Sequence, residues 1–157
     1  MRGMRNILWL IPLLVLSIVG CNGECYENQN ALPLASFQLL DSNRTVMMDS
    51  LRVYGIGQPH DSVLWDGGTV EQLYLPFRID QDSTQYVFEH LRTKERDTVT
   101  FRYDRSPVLA SYECGVSYVY IIRSITSTGP FIDSVACPDG EINNVNKANL
   151  IIFLHNE

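Results

Sequence analysis

The sequence lacks the residue patterns by which most enzymes and nucleic-acid-binding proteins are recognised. Its 157 residues include only three histidines, and they contain no H-E-x-x-H, G-x-S-x-G, P-loop or G-x-G-x-x-G pattern. The 12 Lys and Arg residues form no run and are outnumbered by 18 Asp and Glu residues, which argues against binding to DNA, RNA or an anionic membrane surface. We therefore expect a protein that is not an enzyme, with no catalytic residues, no metal and no cofactor.

A short apolar stretch at the N-terminus, residues 7–19, follows Arg2 and Arg5. It is shorter than the ~20 residues that a bilayer-spanning helix needs. A basic start, a short apolar core and small residues before a cleavage site are typical of a secretory signal peptide. The closing residues, Val19-Gly20-Cys21, resemble a bacterial lipobox. This resemblance implies cleavage before Cys21, acylation of Cys21, and a protein held by its lipid in a membrane of the cell envelope, which we expect to be the outer membrane.

The signal divides the chain into three parts. We predict a lipoprotein signal peptide over residues 1–20, a lipidated tether over 21–30 and a single β domain over 31–157. Loss of Arg2 and Arg5 with the signal leaves 137 residues with ten basic and 18 acidic side chains, a formal charge of −8. A chain of this length suits one hydrophobic core.

The three cysteines that remain after lipidation are Cys25, Cys114 and Cys137. In an oxidising compartment they form at most one intramolecular disulfide and leave one thiol. A Cys25–Cys114 bridge would close a loop of about ninety residues and pin the N-terminal segment to the domain. A Cys114–Cys137 bridge is the alternative, since these two residues flank a predicted hairpin. No C-x-x-C pair exists, so neither a zinc site nor a thioredoxin-like redox role is expected.

The rest of the chain has the alternation of apolar and polar residues that is typical of β-strands. No window has the pattern of an amphipathic helix, and Asp66-Gly67-Gly68 is predicted to be a hairpin turn. Eight or nine short strands predict an antiparallel β-sandwich of immunoglobulin or fibronectin type, with a lipocalin-like barrel as the alternative. The strand candidates are residues 32–40, 49–55, 61–65, 71–79, 84–91, 97–103, 114–125, 131–136 and 149–154.

An Asp-hydroxyl-aliphatic tripeptide recurs along the domain at irregular spacing. It resembles the acceptor motif for protein O-glycosylation in Bacteroidota envelopes, and an exposed hydroxyl is the condition for modification. The alternative is structural: the Asp ends a turn, the hydroxyl faces water and the aliphatic residue enters the core. The candidate acceptors are Ser50, Ser62, Thr98 and Ser134.

Two further patterns allow a binding function. Tyr54, Trp65 and Tyr74 lie beside turns or on a polar strand face, and exposed aromatic rings of this kind can stack on sugars. Asp80 and Asp82 offer oxygen ligands for calcium, although a hairpin turn explains both residues without a metal. A barrel cavity would instead indicate a carrier of small apolar ligands.

The order of several short segments resembles a family of small, uncharacterised Bacteroidota envelope lipoproteins. The segments are lipobox Cys21, then Cys25, Leu32-Pro33-Leu34 to Phe37, Asp49-Ser50-Leu51 leading to Val53-Tyr54-Gly55, Leu75-Pro76-Phe77 and Glu113-Cys114-Gly115. The resemblance implies a lipoprotein without assigned catalytic residues, a Cys25–Cys114 disulfide and a free thiol at Cys137. We expect a non-enzymatic binding or structural module whose partner is an envelope protein, a glycan or a small apolar ligand.

Overall fold

The computed structural model describes residues 31–42, 44–57, 62–112, 115–143 and 147–155. The predicted signal and tether lie outside these ranges, as do Cys21, Cys25 and Cys114. The described residues contain ten strands and no helix, so no helix among them is long and apolar enough to cross a bilayer. The strands are β1 Leu34–Leu39, β2 Leu51–Gly55, β3 Val63–Asp66, β4 Gln72–Tyr74, β5 Ser83–His90, β6 Arg96–Ser111, β7 Gly115–Ser127, β8 Ile132–Ala136, β9 Glu141–Ile142 and β10 Leu150–Leu154.

The strands form two sheets that share one core. The smaller sheet has the order β4-β1-β10-β8 and the larger has the order β3-β2-β5-β6-β7-β9. Buried side chains of both sheets belong to a single hydrophobic cluster, which confirms an all-β, sandwich-like fold. Neither strand order closes on itself in the described part of the chain, so the lipocalin-like barrel is wrong. The division of strands into four and six also differs from the four and three of a constant immunoglobulin domain.

One strand pair departs from the antiparallel prediction. β1 runs parallel to β10 in a register from Ala35↔Leu150 to Leu39↔Leu154. Asn149, which is 4% exposed, begins this pair: its Oδ1 accepts a hydrogen bond from the N–H of Leu34 at 2.8 Å, and its own N–H donates to the Leu34 carbonyl at 3.0 Å. Parallel strands need a crossover connection, and here nearly the whole chain lies between the two.

An aromatic cluster around Phe77 fills the centre of the core. The ring of Phe77 stacks on Tyr103 with centroids 4.6 Å apart and contacts Phe101 at 5.0 Å and Tyr120 at 5.3 Å. Burial raises the pKa of Tyr120 to about 12 and also raises the pKa values of Tyr86 and Tyr103. These hydroxyls therefore remain protonated at neutral pH, and those of Tyr86 and Tyr103 donate hydrogen bonds to backbone carbonyls.

The predicted strand 71–79 ends early, at Tyr74, because Pro76 has no N–H for a ladder. Hydroxyl groups replace the missing ladder bonds. The N–H of Arg78 donates to Thr84 Oγ1 at 3.0 Å, Thr84 and Tyr103 share a hydrogen bond at 2.7 Å, and the Tyr103 hydroxyl donates to the Arg78 carbonyl at 2.8 Å. The Tyr86 hydroxyl donates to the carbonyl of Pro76. Side chains of β5 and β6 thus hold Phe77 in the core.

Two other local predictions are wrong. Asp66-Gly67-Gly68 does not form a hairpin turn, because β3 before it pairs with β2, whereas β4 after it pairs with β1 in the other sheet. The strand predicted over 97–103 continues to Ser111 and pairs with β7 along this extension. The last residue pair between β5 and β6 is Ser83↔Arg102, and the hairpin of β6 and β7 extends beyond that pair.

Candidate functional site

A cavity of about 580 Å³ opens at one end of the sandwich, where β1, β5 and β10 all finish. Its walls come from the segment between β1 and β2, the turn between β5 and β6, and the residues flanking β8 and β10. A volume in this range suits a small organic ligand. The lining residues are Leu39, Val46, Met47, Met48, Asp49, His90, Arg92, Thr93, Glu95, Phe131, Leu154 and His155.

The apolar wall is built from both sheets and from one exposed methionine. Leu154 is 6% exposed, whereas Met47 is 65% exposed at the rim. Met48 is fixed by two backbone hydrogen bonds with Val70, both of 2.8 Å. Methionine side chains are flexible and polarisable, so this wall can adapt to differently shaped apolar ligands.

Phe131 owes its position in the wall to a buried carboxylate on the opposite sheet. Asp97 is 0% exposed, and its Oδ2 accepts hydrogen bonds from the N–H groups of Phe131 at 3.0 Å and Ile132 at 2.8 Å. Asp97 follows the β5–β6 turn, and its carboxylate joins the two sheets beside the cavity.

The polar wall is the β5–β6 turn. The N–H of His90 donates to the Glu95 carbonyl at 2.9 Å, and His90 Nδ1 lies 3.2 Å from both the N–H and the hydroxyl of Thr93. The Thr93 hydroxyl also lies 2.9 Å from Glu95 Oε2, to which it donates. A neutral imidazole that accepts at Nδ1 carries its proton on Nε2. The turn therefore supplies a fixed imidazole donor next to the apolar wall.

Arg92 and Asp49, two of the charged side chains at the rim, are paired with each other. The guanidinium of Arg92 donates to the carboxylate of Asp49. His155 Nδ1 lies 3.8 Å from Asp133 Oδ1. Glu95, whose carboxylate accepts from Thr93, has no ion-pair partner among the described residues. The described lining therefore offers no unpaired Lys or Arg to an anionic ligand, and apolar contact and hydrogen bonding determine which ligand fits.

A second cavity, of about 400 Å³, lies near the start of β5 and includes Arg78 and Asp80 among its lining residues. Arg78 donates two hydrogen bonds to Asp80, at 3.1 and 2.8 Å, and one to the Gly57 carbonyl at 3.1 Å. The hydrogen bond from Arg78 holds the pKa of Asp80 below its ordinary value. Among the described residues no group of three or more His, Cys, Asp or Glu is arranged to hold a metal ion.

Cys137 is a free, half-buried thiol packed against the core. Its Sγ donates to the Glu141 carbonyl at 3.9 Å, and burial raises its pKa. A raised pKa keeps the thiol protonated and weakly nucleophilic. Glu141, next to the Cys137 thiol, pairs with Ile121 of β7. Ile121 is six residues from Gly115, where β7 begins, and six residues of an extended strand span ~20 Å.

The four candidate glycosylation sites differ in exposure. Ser62, just before β3, is exposed, whereas Ser50, Thr98 and Ser134 are half-buried. Thr98 lies within the larger sheet between β5 and β7, and the Ser134 hydroxyl donates to Asp133 at 2.8 Å. Ser62 is thus the most accessible acceptor in the described part of the chain.

The aromatic residues considered for sugar stacking do not share one surface. Tyr54 and Trp65 are half-buried in the larger sheet, and Trp65 packs against the core. Tyr74 is 48% exposed on β4 of the smaller sheet. The cavity residues, by contrast, were not predicted from the sequence, because four separated segments contribute them.

Comparison with known families matches residues 50–154 to DUF6452, a family of unknown function. The chain belongs to the DUF6452 family. No curated protein and no solved structure matches the chain. The DUF6452 match begins just before β2 and ends with β10, so it leaves out β1, which lies between β4 and β10 in the smaller sheet. It therefore omits one interior strand of the described fold.

Proposed function

We propose that this DUF6452 protein is a lipid-anchored, non-enzymatic envelope protein that binds a small, largely apolar molecule in the end cavity. The observation that carries the proposal is the cavity of about 580 Å³ with an apolar wall from both sheets and an imidazole donor beside it. The lipobox at Cys21 supports the anchor and an address at the outer membrane. In this proposal the lipid holds the protein to the membrane, and the cavity binds the ligand.

The pairing of charges at the rim defines the ligand class. Arg92 is paired with Asp49, and the other ionised lining side chain, Glu95, is acidic, so the rim does not attract an anion. Leu39, Met48 and Phe131 favour an apolar body, and the His90 donor favours a single hydrogen-bond acceptor at its edge. A neutral molecule with an apolar ring or chain fits this description better than a sugar, which needs stacking rings and many polar partners.

The hydrogen bonds of the turn support a non-enzymatic role. The Thr93 hydroxyl and the His90 imidazole are close enough to form a nucleophile and base pair. However, His90 Nδ1 also accepts from the Thr93 N–H, and the Glu95 carboxylate accepts from Thr93 instead of orienting the imidazole. The three groups satisfy one another and stabilise the turn.

The path of the N-terminal segment supports a Cys25–Cys114 disulfide as part of the same proposal. The N–H of Ala31 donates to the Tyr118 carbonyl at 2.8 Å, so the chain enters the domain beside β7. Cys25 precedes Ala31 by six residues, and Cys114 precedes Tyr118 by four. Cys137 lies near Glu141, far along β7 from Gly115, which disfavours the Cys114–Cys137 alternative because bridged Cα atoms lie within ~7 Å.

Binding of N-phenyl-1-naphthylamine, a neutral fluorescent apolar probe, tests the cavity. We expect saturable binding that Met48→Trp weakens at least about tenfold, or ~1.4 kcal/mol, because the indole fills the cavity. Val63→Trp is the matched control, since Val63 is 55% exposed on β3 and outside the lining. Anilinonaphthalene sulfonate, an anion with a similar apolar body, should bind no more tightly than N-phenyl-1-naphthylamine. Equal weakening by both variants, or no saturable binding, would contradict the cavity as the binding site.

A further inference from the structure

The far half of the β6–β7 hairpin has a surface unlike the rest of the chain. This distal arm comprises residues 106–111 of β6 and 115–119 of β7. Within the described ranges, β6 beyond Tyr103 pairs only with β7. Along the sequence from Ser106 to Ile122 the only charged residue is Glu113, although 19% of the whole chain is charged.

Apolar side chains of the distal arm are exposed. Leu109 and Val116 are 58% and 57% exposed, and they oppose each other in the register, so their side chains lie on one face. Tyr112, which follows β6, is 98% exposed, whereas Val108, 43% exposed, lies on the other face of the hairpin. An exposed apolar patch such as that of Leu109 and Val116 marks a surface that contacts a partner or a membrane.

The path of the N-terminal segment indicates which partner contacts the exposed apolar side chains of the distal arm. Ala31 is hydrogen-bonded to Tyr118 on the distal arm, and Cys21 is ten residues before Ala31. Ten residues span at most ~35 Å, so a lipid on Cys21 brings the bilayer surface within reach of the arm. The bilayer is therefore the apolar phase nearest to this patch.

We propose that the distal arm inserts Leu109, Tyr112 and Val116 into the interfacial layer of the bilayer that anchors the chain; this inference rests on the lipid anchor of the proposed function. Tyrosine and aliphatic side chains favour that layer. The acidic body, with its formal charge of −8 after cleavage, is repelled by anionic headgroups, whereas the stretch from Ser106 to Ile122 carries one charge, at Glu113, and is repelled far less. The arm therefore provides a second contact that sets the orientation of the domain.

This contact directs the end cavity away from the membrane. The cavity lies where β5 ends and β6 begins, and the arm lies at the other end of β6. From Arg96 to Ser111 the strand spans ~50 Å at 3.3 Å per residue. The ligand would thus enter from the aqueous phase and not from the bilayer.

Fluorescence quenching by brominated lipid tests the arm. The acylated mature protein, its Leu109→Trp variant and its Val63→Trp variant are reconstituted into phosphatidylcholine vesicles with or without brominated acyl chains, and each preparation is floated on a density gradient. Trp65, the only native tryptophan after removal of Trp9 with the signal, provides the background in all three. Val63 is similarly exposed but lies on β3, an edge strand of the larger sheet that is separated from β6 by β2 and β5.

We expect the indole introduced by Leu109→Trp to lose roughly half its fluorescence to brominated lipid, since interfacial side chains lie ~5–10 Å into the headgroup boundary. The indole introduced by Val63→Trp should be unaffected. Protein that floats but whose Leu109→Trp indole is unquenched overturns the arm contact alone. A blue-shifted but unquenched indole also overturns it and indicates that a second copy of the chain covers the arm. Protein that does not float overturns the anchor and the arm contact together.

Discussion

A chain that begins at Ser50, where the DUF6452 match begins, is expected to remain unfolded. It lacks β1, which lies inside the smaller sheet and pairs with both β4 and β10. Phe37 and Ala35 are 0% exposed. Removing a buried Phe side chain alone costs ~3–5 kcal/mol, and the loss of the remaining β1 contacts would consume most of the ~5–15 kcal/mol that stabilises a typical domain.

Circular dichroism during thermal unfolding measures this difference. Under reducing conditions, a chain that begins at Cys21 should unfold cooperatively, and a chain that begins at Ala31, which lacks Cys25, should do so at a similar temperature. The chain that begins at Ser50 should show no cooperative transition. If it unfolds with the same midpoint as the longer chains, β1 is not part of the folding unit.

The largest effect expected of a single substitution is that of Phe77→Ala. Phe77 is 6% exposed and contacts three other rings of the core. Its removal leaves a cavity beside Tyr103, and we expect a loss of ~3–5 kcal/mol in the free energy of unfolding. Equilibrium unfolding in urea measures that loss.

Two control variants accompany Phe77→Ala. Phe77→Leu, which keeps most of the apolar volume, should cost clearly less. Ile79→Ala, at a position that is 51% exposed two residues further on, should stay within about 0.5 kcal/mol of the parent. Similar small losses for Phe77→Ala and Ile79→Ala would show that the aromatic cluster is not the centre of the core.

Regular alternation allowed most strands to be predicted from the sequence. β5 and β10 lie within one residue of their predicted bounds. Tyr86 and Phe88 give β5 its alternation, and β10 is a short apolar run between polar residues. The extension of β6 was missed because Asp104, Arg105 and Pro107 interrupt that pattern. Cross-strand pairing with β7, and not local composition, makes this segment a strand.

No local sequence pattern could have predicted the cavity. Met48, His90, Phe131 and His155 come from four separated segments, and they meet only because β1 runs parallel to β10 while β5 ends at the same edge. Periodicity shows which face of a strand is buried but not which strand is its neighbour. The parallel pairing and the two sheet orders, on which the cavity depends, therefore could not be predicted from the sequence.

The intact mass of the protein from its native membranes, under non-reducing conditions, tests the lipid anchor most directly. The account predicts a chain that begins at Cys21 and carries acyl groups there, with a gain of about 2 Da on reduction of Cys25–Cys114, since breaking one disulfide adds two hydrogens. Any added sugar mass should map first to Ser62, the exposed candidate acceptor. A mass equal to the unprocessed 157-residue polypeptide, without an acyl group on Cys21, would contradict the account.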